Sequence, residues 1–275
     1  MKKIVFVTGA GKGIGQITAL QLAKSGYTVC ASARTLADLE HTKQLSLGAI
    51  RIATVDTTNM AAIKDWVGSE ISNTQNTPWG FVANAGSYGA IGAVLDIDMN
   101  EWEAGLNLNL MAPVRCSQFF AQLLVSRKIP GRIVLLSGGG ATQPLPHFTN
   151  YCAAKAGVVR FGETLALELK PHGITVNSIA PGAINSGFID QVLKAGPKLV
   201  GEFMYEKTLK QKESGGTDPQ HAAQTIDFLM SDSASHVTGL LISAVWDKWK
   251  EFPENWAEIE KTDWYRLRRI VPPGK

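Results

Sequence analysis

"VTGAGKGIGQ", residues 7–16, places four glycines and a lysine in ten positions, directly after the apolar run Ile4–Val7. A glycine-rich loop that leaves a strand and opens a helix brings backbone N–H groups up to a phosphate. The triphosphate-binding version needs G-x-x-x-x-G-K-[ST], but Lys12 is followed by Gly13, so no hydroxyl stands where a magnesium ion would need it. The spacing G-x-G-x-x-G fails too, because Ile14 occupies the place of its third glycine. What remains is T-G-x-x-x-G-x-G, carried by Thr8, Gly9, Gly13 and Gly15.

Outward from this loop, short β-branched runs alternate with longer amphipathic segments. "KIVFV", "YTVCAS", "AIRIATV", "WGFVANAG", "RIVLLS" and "ITVNSIA" read as strands. Residues 14–25, 35–46, 59–72, 99–127 and 149–170 read as the helices between them. This alternation predicts an α/β fold, a doubly wound parallel sheet covered by helices on both faces. The length of 275 residues suits one large core. Residues 1–245 read as one domain, with a lid over about 183–217. Residues 246–275 read as an extension holding four of the seven tryptophans. Such a tail is too aromatic to be disordered, so it packs either on its own subunit or at an interface or pocket rim.

Composition narrows the function classes. A net charge of +3 with scattered basic residues gives no nucleic-acid footprint. No apolar run is long enough for a signal h-region or a membrane span. Cys30, Cys116 and Cys152 are odd in number and widely spaced, and the five histidines are dispersed. The expectation is free thiols, no metal site and a cytoplasmic setting.

In such a sheet, ligands lie beyond the carboxyl ends of the strands, and the first turn faces a pyrophosphate. Gly9, Gly13, Ile14 and Gly15 share that task. The second strand decides the cofactor's form: an acid there holds a ribose 2′-hydroxyl, whereas an arginine accepts a 2′-phosphate. "CASART" offers Ala33 and Arg34 with no acid, and Lys12 adds a second cation, so NADP is favoured over NAD. The competing reading leaves Lys12 and Arg34 solvated, beside a helix capped by Thr35 and Asp38.

The glycine loop, "NAG" at 84–86, "YCAAK" at 151–155 and "PG" at 181–182 stand in the order and spacing of the short-chain dehydrogenase/reductase family, which the chain resembles over about residues 3–245. The resemblance implies a Rossmann-type single domain, with residues 1–245 as the dinucleotide-binding and catalytic domain, and hydride transfer between nicotinamide and a small-molecule carbonyl or alcohol, in a homotetramer or homodimer. It implies that Asn84, Ala85 and Gly86 line the cofactor, as do Pro181, Gly182 and Ile184, and that Asp56 and Thr57 lie at the adenine. Asp56 could equally cap the helix beginning near Asn59.

Tyr151 and Lys155 stand four apart on one helix, so they share a face. An ammonium beside a phenol lowers its pKa from about 10 towards the working range. Tyr151 then serves as general acid for ketone reduction and as base in reverse. The resemblance also gives Lys155 contacts to the nicotinamide ribose and Asn109 a water on the proton relay, with Asn107 as nearest competitor. A hydroxyl at the substrate oxygen comes, in the family, most often from a serine thirteen residues before the tyrosine. Here that position is Gly138, so Ser137 is the expected donor and Thr142 the reserve. Two other classes compete: a sugar-nucleotide epimerase or dehydratase, disfavoured by the glycine spacing, and a non-catalytic NADPH-binding sensor. The substrate stays open among keto thioesters, sugar-derived ketones and cyclic ketones.

Overall fold

The computed structural model describes residues 2–73 and 76–270. Its strands are β1 (Lys3–Thr8), β2 (Thr28–Ala33), β3 (Arg51–Thr54), β4 (Thr77–Ala83), β5 (Gly131–Leu136), β6 (Ile174–Ala180) and β7 (Leu241–Ser243). All pairings are parallel, in the spatial order β3-β2-β1-β4-β5-β6-β7. Helices α1 (Gly13–Lys24), α2 (Leu36–Leu45) and α3 (Met60–Ser72) join the first four strands. Next come α4 (Met99–Leu106), α5 (Ala112–Ser126) and α6 (Thr149–Leu169). The remaining helices are α7 (Gly187–Ala195), α8 (Pro197–Val200), α9 (Glu202–Ser214), α10 (Gln220–Met230) and α11 (Phe252–Ile259).

Every residue of β1 after Lys3 is buried, because helices cover both faces of a parallel sheet. Strand alternation divides them: Ile4 and Phe6 join one core, Val5 and Val7 the other. Phe6 meets Trp66 of α3 and Phe120 of α5 edge-on, at 5.3 and 5.9 Å between ring centroids. The chain runs outward from β1 to β3 and then returns to β4, so the strand order reverses between β1 and β4. That reversal makes the carboxyl ends of β1 and β4 a switch point, where a ligand crevice is expected.

The C-terminal extension folds onto the same body. Trp249, Phe252 and Ile259 are buried in the core beneath α1 and α10, with Trp256 packed at its edge. Pro253 sits in the first turn of α11. The Tyr265 carbonyl accepts the Leu241 N–H at 2.7 Å, partly covering the β7 edge. Leu267 donates its N–H to Glu163 of α6 at 2.7 Å, and Arg268 pairs with the same carboxylate at 3.2 Å. Trp246 and Trp264 remain exposed. No described helix is long and apolar enough to cross a membrane.

Candidate active site

The glycine loop is shaped by contact with β4. Gly9 has φ +65°, and a Cβ there would stand 2.8 Å from the Ala85 Cα. A Cβ on Gly15 would stand 2.3 Å from the Gly9 carbonyl and 2.4 Å from the Asn84 amide nitrogen, so neither position admits a side chain. Asn84 donates to the carbonyls of Thr8 and Gly9 at 2.9 and 3.1 Å. The Thr8 hydroxyl accepts from the Asn84 and Ala85 N–H groups at 3.1 and 3.3 Å. Four residues thus tie the ends of β1 and β4 together at the crevice.

Helix α1 begins without a side-chain cap and without an acidic residue in its first turn. Its leading N–H groups, from Gly13, Ile14 and Gly15, therefore face the crevice with the positive end of the helix dipole, which suits a pyrophosphate. At the end of β2, Arg34 is exposed and carries no hydrogen bond among the described residues. Lys12 is exposed but not free: its ammonium pairs with Asp38 at 3.1 Å. That pairing departs from the competing reading, in which Thr35 and Asp38 cap α2, since Asp38 reaches Lys12 and Thr35 makes no side-chain cap bond. The cap at α3 is likewise Asn59, whose side chain accepts from the Ala62 N–H, and not Asp56. Asp56 accepts from the N–H and hydroxyl of Thr58, which with the Arg34 charge hold its carboxyl below the usual range. Thr57 beside it is buried.

Asn109 stands where the helix between Met99 and Ser126 is interrupted. Residues Asn107–Met111 form a π turn between α4 and α5, a deviation that frequently marks functional sites. The Asn109 amide donates to the Gly105 carbonyl at 3.0 Å, diverting a group from the helical ladder, and its oxygen accepts the Ser87 N–H at 3.1 Å. Asn107 instead bonds Arg115 on the helix flank. A Cβ on Gly86 would lie 2.9 Å from the Asn109 oxygen and 3.8 Å from the Lys155 ammonium, so backbone, amide and amine converge there.

Lys155 is fully buried and donates to the Leu136 carbonyl at 2.6 Å. Burial lowers its pKa to about 8. Tyr151 goes the other way: burial, then Tyr88 and Cys152, raise its phenol well above the ordinary value. The expected lowering of Tyr151 by Lys155 is not present. The amine lies 5.8 Å from the ring centre with its proton directed at Leu136, and desolvation by the surrounding rings dominates.

Ser137 does not meet Tyr151. It continues the β5–β6 ladder through its N–H to Ile179, and its hydroxyl donates to the Lys155 carbonyl at 3.4 Å. Strand alternation directs the next residue to the opposite side, and that residue is Gly138. A Cβ at 138 would fall 2.3 Å from the Tyr151 hydroxyl, so the phenol fills the room a side chain would take. Thr142, the reserve donor, is exposed and bonds Gly139.

Pro181 is buried, whereas Gly182, at φ +95°, lies against Val245 and Thr217. Ile184 is buried and bridges Gly216. Reading the sequence alone missed Tyr88 and Phe148. Phe148 lies one helical turn before Tyr151, a spacing that could have revealed it; Tyr88 follows "NAG" with no periodic signal.

A family model described as short chain dehydrogenase matches residues 3–195. The 3-oxoacyl-(acyl-carrier-protein) reductase of Synechocystis sp. is 31% identical over 242 residues, covering 86% of this chain and 93% of that protein. L-xylulose reductase of Homo sapiens is 29% identical over 237 residues, covering 86% and 91%. Among solved structures, a variant of actinorhodin polyketide ketoreductase with NADPH superposes with a TM-score of 0.79 at 26% identity, over 88% of this chain and 95% of that one. Carveol dehydrogenase from Mycobacterium avium in complex with NAD gives 0.77 at 26% identity, with the same coverages. The family match runs from β1 through α7, the stretch that carries the glycine loop, the π turn and α6, and the chain belongs to the short-chain dehydrogenase family.

Proposed function

We propose that this oxidoreductase is NADP(H)-dependent and interconverts a ketone and a secondary alcohol, with Tyr151 exchanging the proton at the substrate oxygen. The observation that carries the reading is the convergence of Gly86, Asn109, Lys155 and Tyr151 beside an uncapped α1 at the switch point. The glycine cradle fits a dinucleotide: Gly9, Gly13, Ile14 and Gly15 would hold the pyrophosphate, Asp56 and Thr57 the adenine, and Asn84 to Gly86 with Pro181, Gly182 and Ile184 the nicotinamide half. When bound, the cofactor supplies the hydride that reduces the carbonyl carbon and is itself oxidised.

Tyr151 would donate its proton to the carbonyl oxygen. Its raised pKa keeps the phenol protonated across the neutral range, the form that reduction requires. Lys155 would hold the cofactor's ribose and pass protons towards Asn109. Arg34, with Lys12 drawn from Asp38, would receive the 2′-phosphate. Both cofactor forms are represented among the structural neighbours, and the absence of an acid at Ala33 or Arg34 supports NADP for this chain. The same reading carries assembly into homodimers or homotetramers and a cytoplasmic setting.

Tyr151→Phe removes only the hydroxyl. Turnover of a reducible ketone should fall by at least about 100-fold while NADPH affinity, followed by nucleotide fluorescence, stays within about threefold. Turnover close to that of the unaltered protein would remove Tyr151 from the reaction. Gly138 favours one second reading, a non-catalytic NADPH sensor, because the side-chain hydroxyl expected beside the tyrosine is missing. NADPH binding without oxidation by any ketone would select it.

A further inference from the structure

The substrate side of Tyr151 is walled by rings from three segments. Tyr88 follows β4, Phe148 directly precedes α6 and Phe188 stands on α7. Tyr88 lies 4.7 Å from Phe148, 5.0 Å from Tyr151 and 4.8 Å from Phe188 between ring centroids, and Phe188 lies 6.0 Å from Tyr151. Most of these pairs are edge-on, the arrangement that aromatic rings prefer. The far edge of Phe188 reaches the cofactor strip, where its Cζ is 3.8 Å from the place of a Gly86 Cβ. A six-membered ring therefore already sits between the proton donor and the backbone that would face the nicotinamide.

Of the polar groups around these rings, Gln191 is committed to backbone, whereas Asn150 Oδ1 and His147 Nδ1 are buried with no hydrogen-bond partner among the described residues. Gln191 accepts from the Tyr88 N–H at 3.0 Å and donates to Gly187 at 3.1 Å. The Asn150 amide donates to the Trp102 carbonyl, and its oxygen is pressed against Gly89 and Gly105. His147 lies against Gly201, at the junction of α8 and α9. Helix α7, which carries Phe188, is bracketed by Gly187 and Gly196, and a Cβ on either would meet nothing within 4 Å. Its inner face is packed, with Ile189 and Val192 buried, so any movement of α7 would hinge at these two ends.

Resting on the ketone-reductase reading above, we propose that the substrate is a ketone carried on a flat, apolar six-membered carbocycle, and that Phe188 here fills the slot this ring takes when α7 lifts. An apolar ring entering the slot replaces one set of aromatic contacts with another. A polyol ketone would set hydroxyls against the faces of Tyr88, Phe148, Tyr151 and Phe188, and each hydroxyl desolvated there without a partner weakens binding. A keto thioester must order a long flexible chain, and the ring-wide slot gives that chain no groove in return.

The test is a comparison of kcat/KM for 1-tetralone, erythrulose and acetoacetyl-coenzyme A with NADPH and the full chain. The proposal expects 1-tetralone to exceed the other two by at least about tenfold. Preference for erythrulose or the thioester would overturn it while leaving the reductase reading in place. Oxidation of NADPH by none of the three, with NADPH still bound, would overturn both. Tyr88→Leu, or Phe188→Leu if the first folds poorly, should raise KM for 1-tetralone by about fivefold with a smaller change in kcat, since a ring wall is lost and the proton donor kept. An unchanged KM in the variant that folds would also refute the slot.

Discussion

Lys155→Met isolates the energetic consequence of burying an amine beneath the site. Methionine keeps the unbranched shape and most of the length of the side chain and removes its charge. Burial lowers the Lys155 pKa from its ordinary 10.5 to about 8. Below about pH 8 the folded and unfolded chains both hold the proton, and the folded protein carries the full cost of an ammonium out of water. Between about pH 8 and 10.5 the unfolded chain keeps a proton that the folded chain has released, so stability rises with pH through that window. Integrating from pH 7 to pH 10 gives the unaltered protein a gain of about 2–3 kcal/mol that the variant lacks. Loss of the bond to the Leu136 carbonyl offsets the comparison by about 1–2 kcal/mol at every pH without changing its slope. The buried phenol of Tyr151 and the buried thiols of Cys30 and Cys116, all raised, titrate alike in both proteins and cancel in the difference. Urea unfolding of both proteins at pH 7, 8, 9 and 10, without cofactor, measures the slope. A stability difference flat to within about 0.5 kcal/mol across that range would refute the claim that Lys155 is held neutral more readily than a solvated lysine.

Arg34→Asp should weaken NADPH binding at least about tenfold and NADH binding less than about threefold, because it sets a carboxylate beside Asp56 where a 2′-phosphate would lie. Equal losses in a titration of both nucleotides would argue against the NADP assignment. Phe252→Ala should cost about 3–5 kcal/mol of unfolding free energy, since the ring is buried between the extension and the body of the fold. A loss under about 1 kcal/mol would mean that the extension is only loosely docked.

Much of the candidate site was legible because its spacing is local. The spacing of Gly9, Gly13 and Gly15 follows from a single turn, and Tyr151 and Lys155 are neighbours by helical period alone. The alternation of strands and helices encoded the doubly wound sheet, because a parallel pair needs a covering crossover. Other features depend on a parity or a distance that no window of sequence contains. Whether Ser137 or Gly138 faces Tyr151 turns on one step of strand alternation, fixed only when the Ser137 N–H pairs with Ile179 of β6. The direction of the Tyr151 shift required knowing that Tyr88 and Phe188, 63 and 37 residues away in sequence, close over it. The extension's tryptophans announced that it packs, but not where. Burying Trp249 while leaving Trp246 exposed was decided by the space beneath α1 and α10 and by the open edge of β7, surfaces that exist only once the sheet has formed.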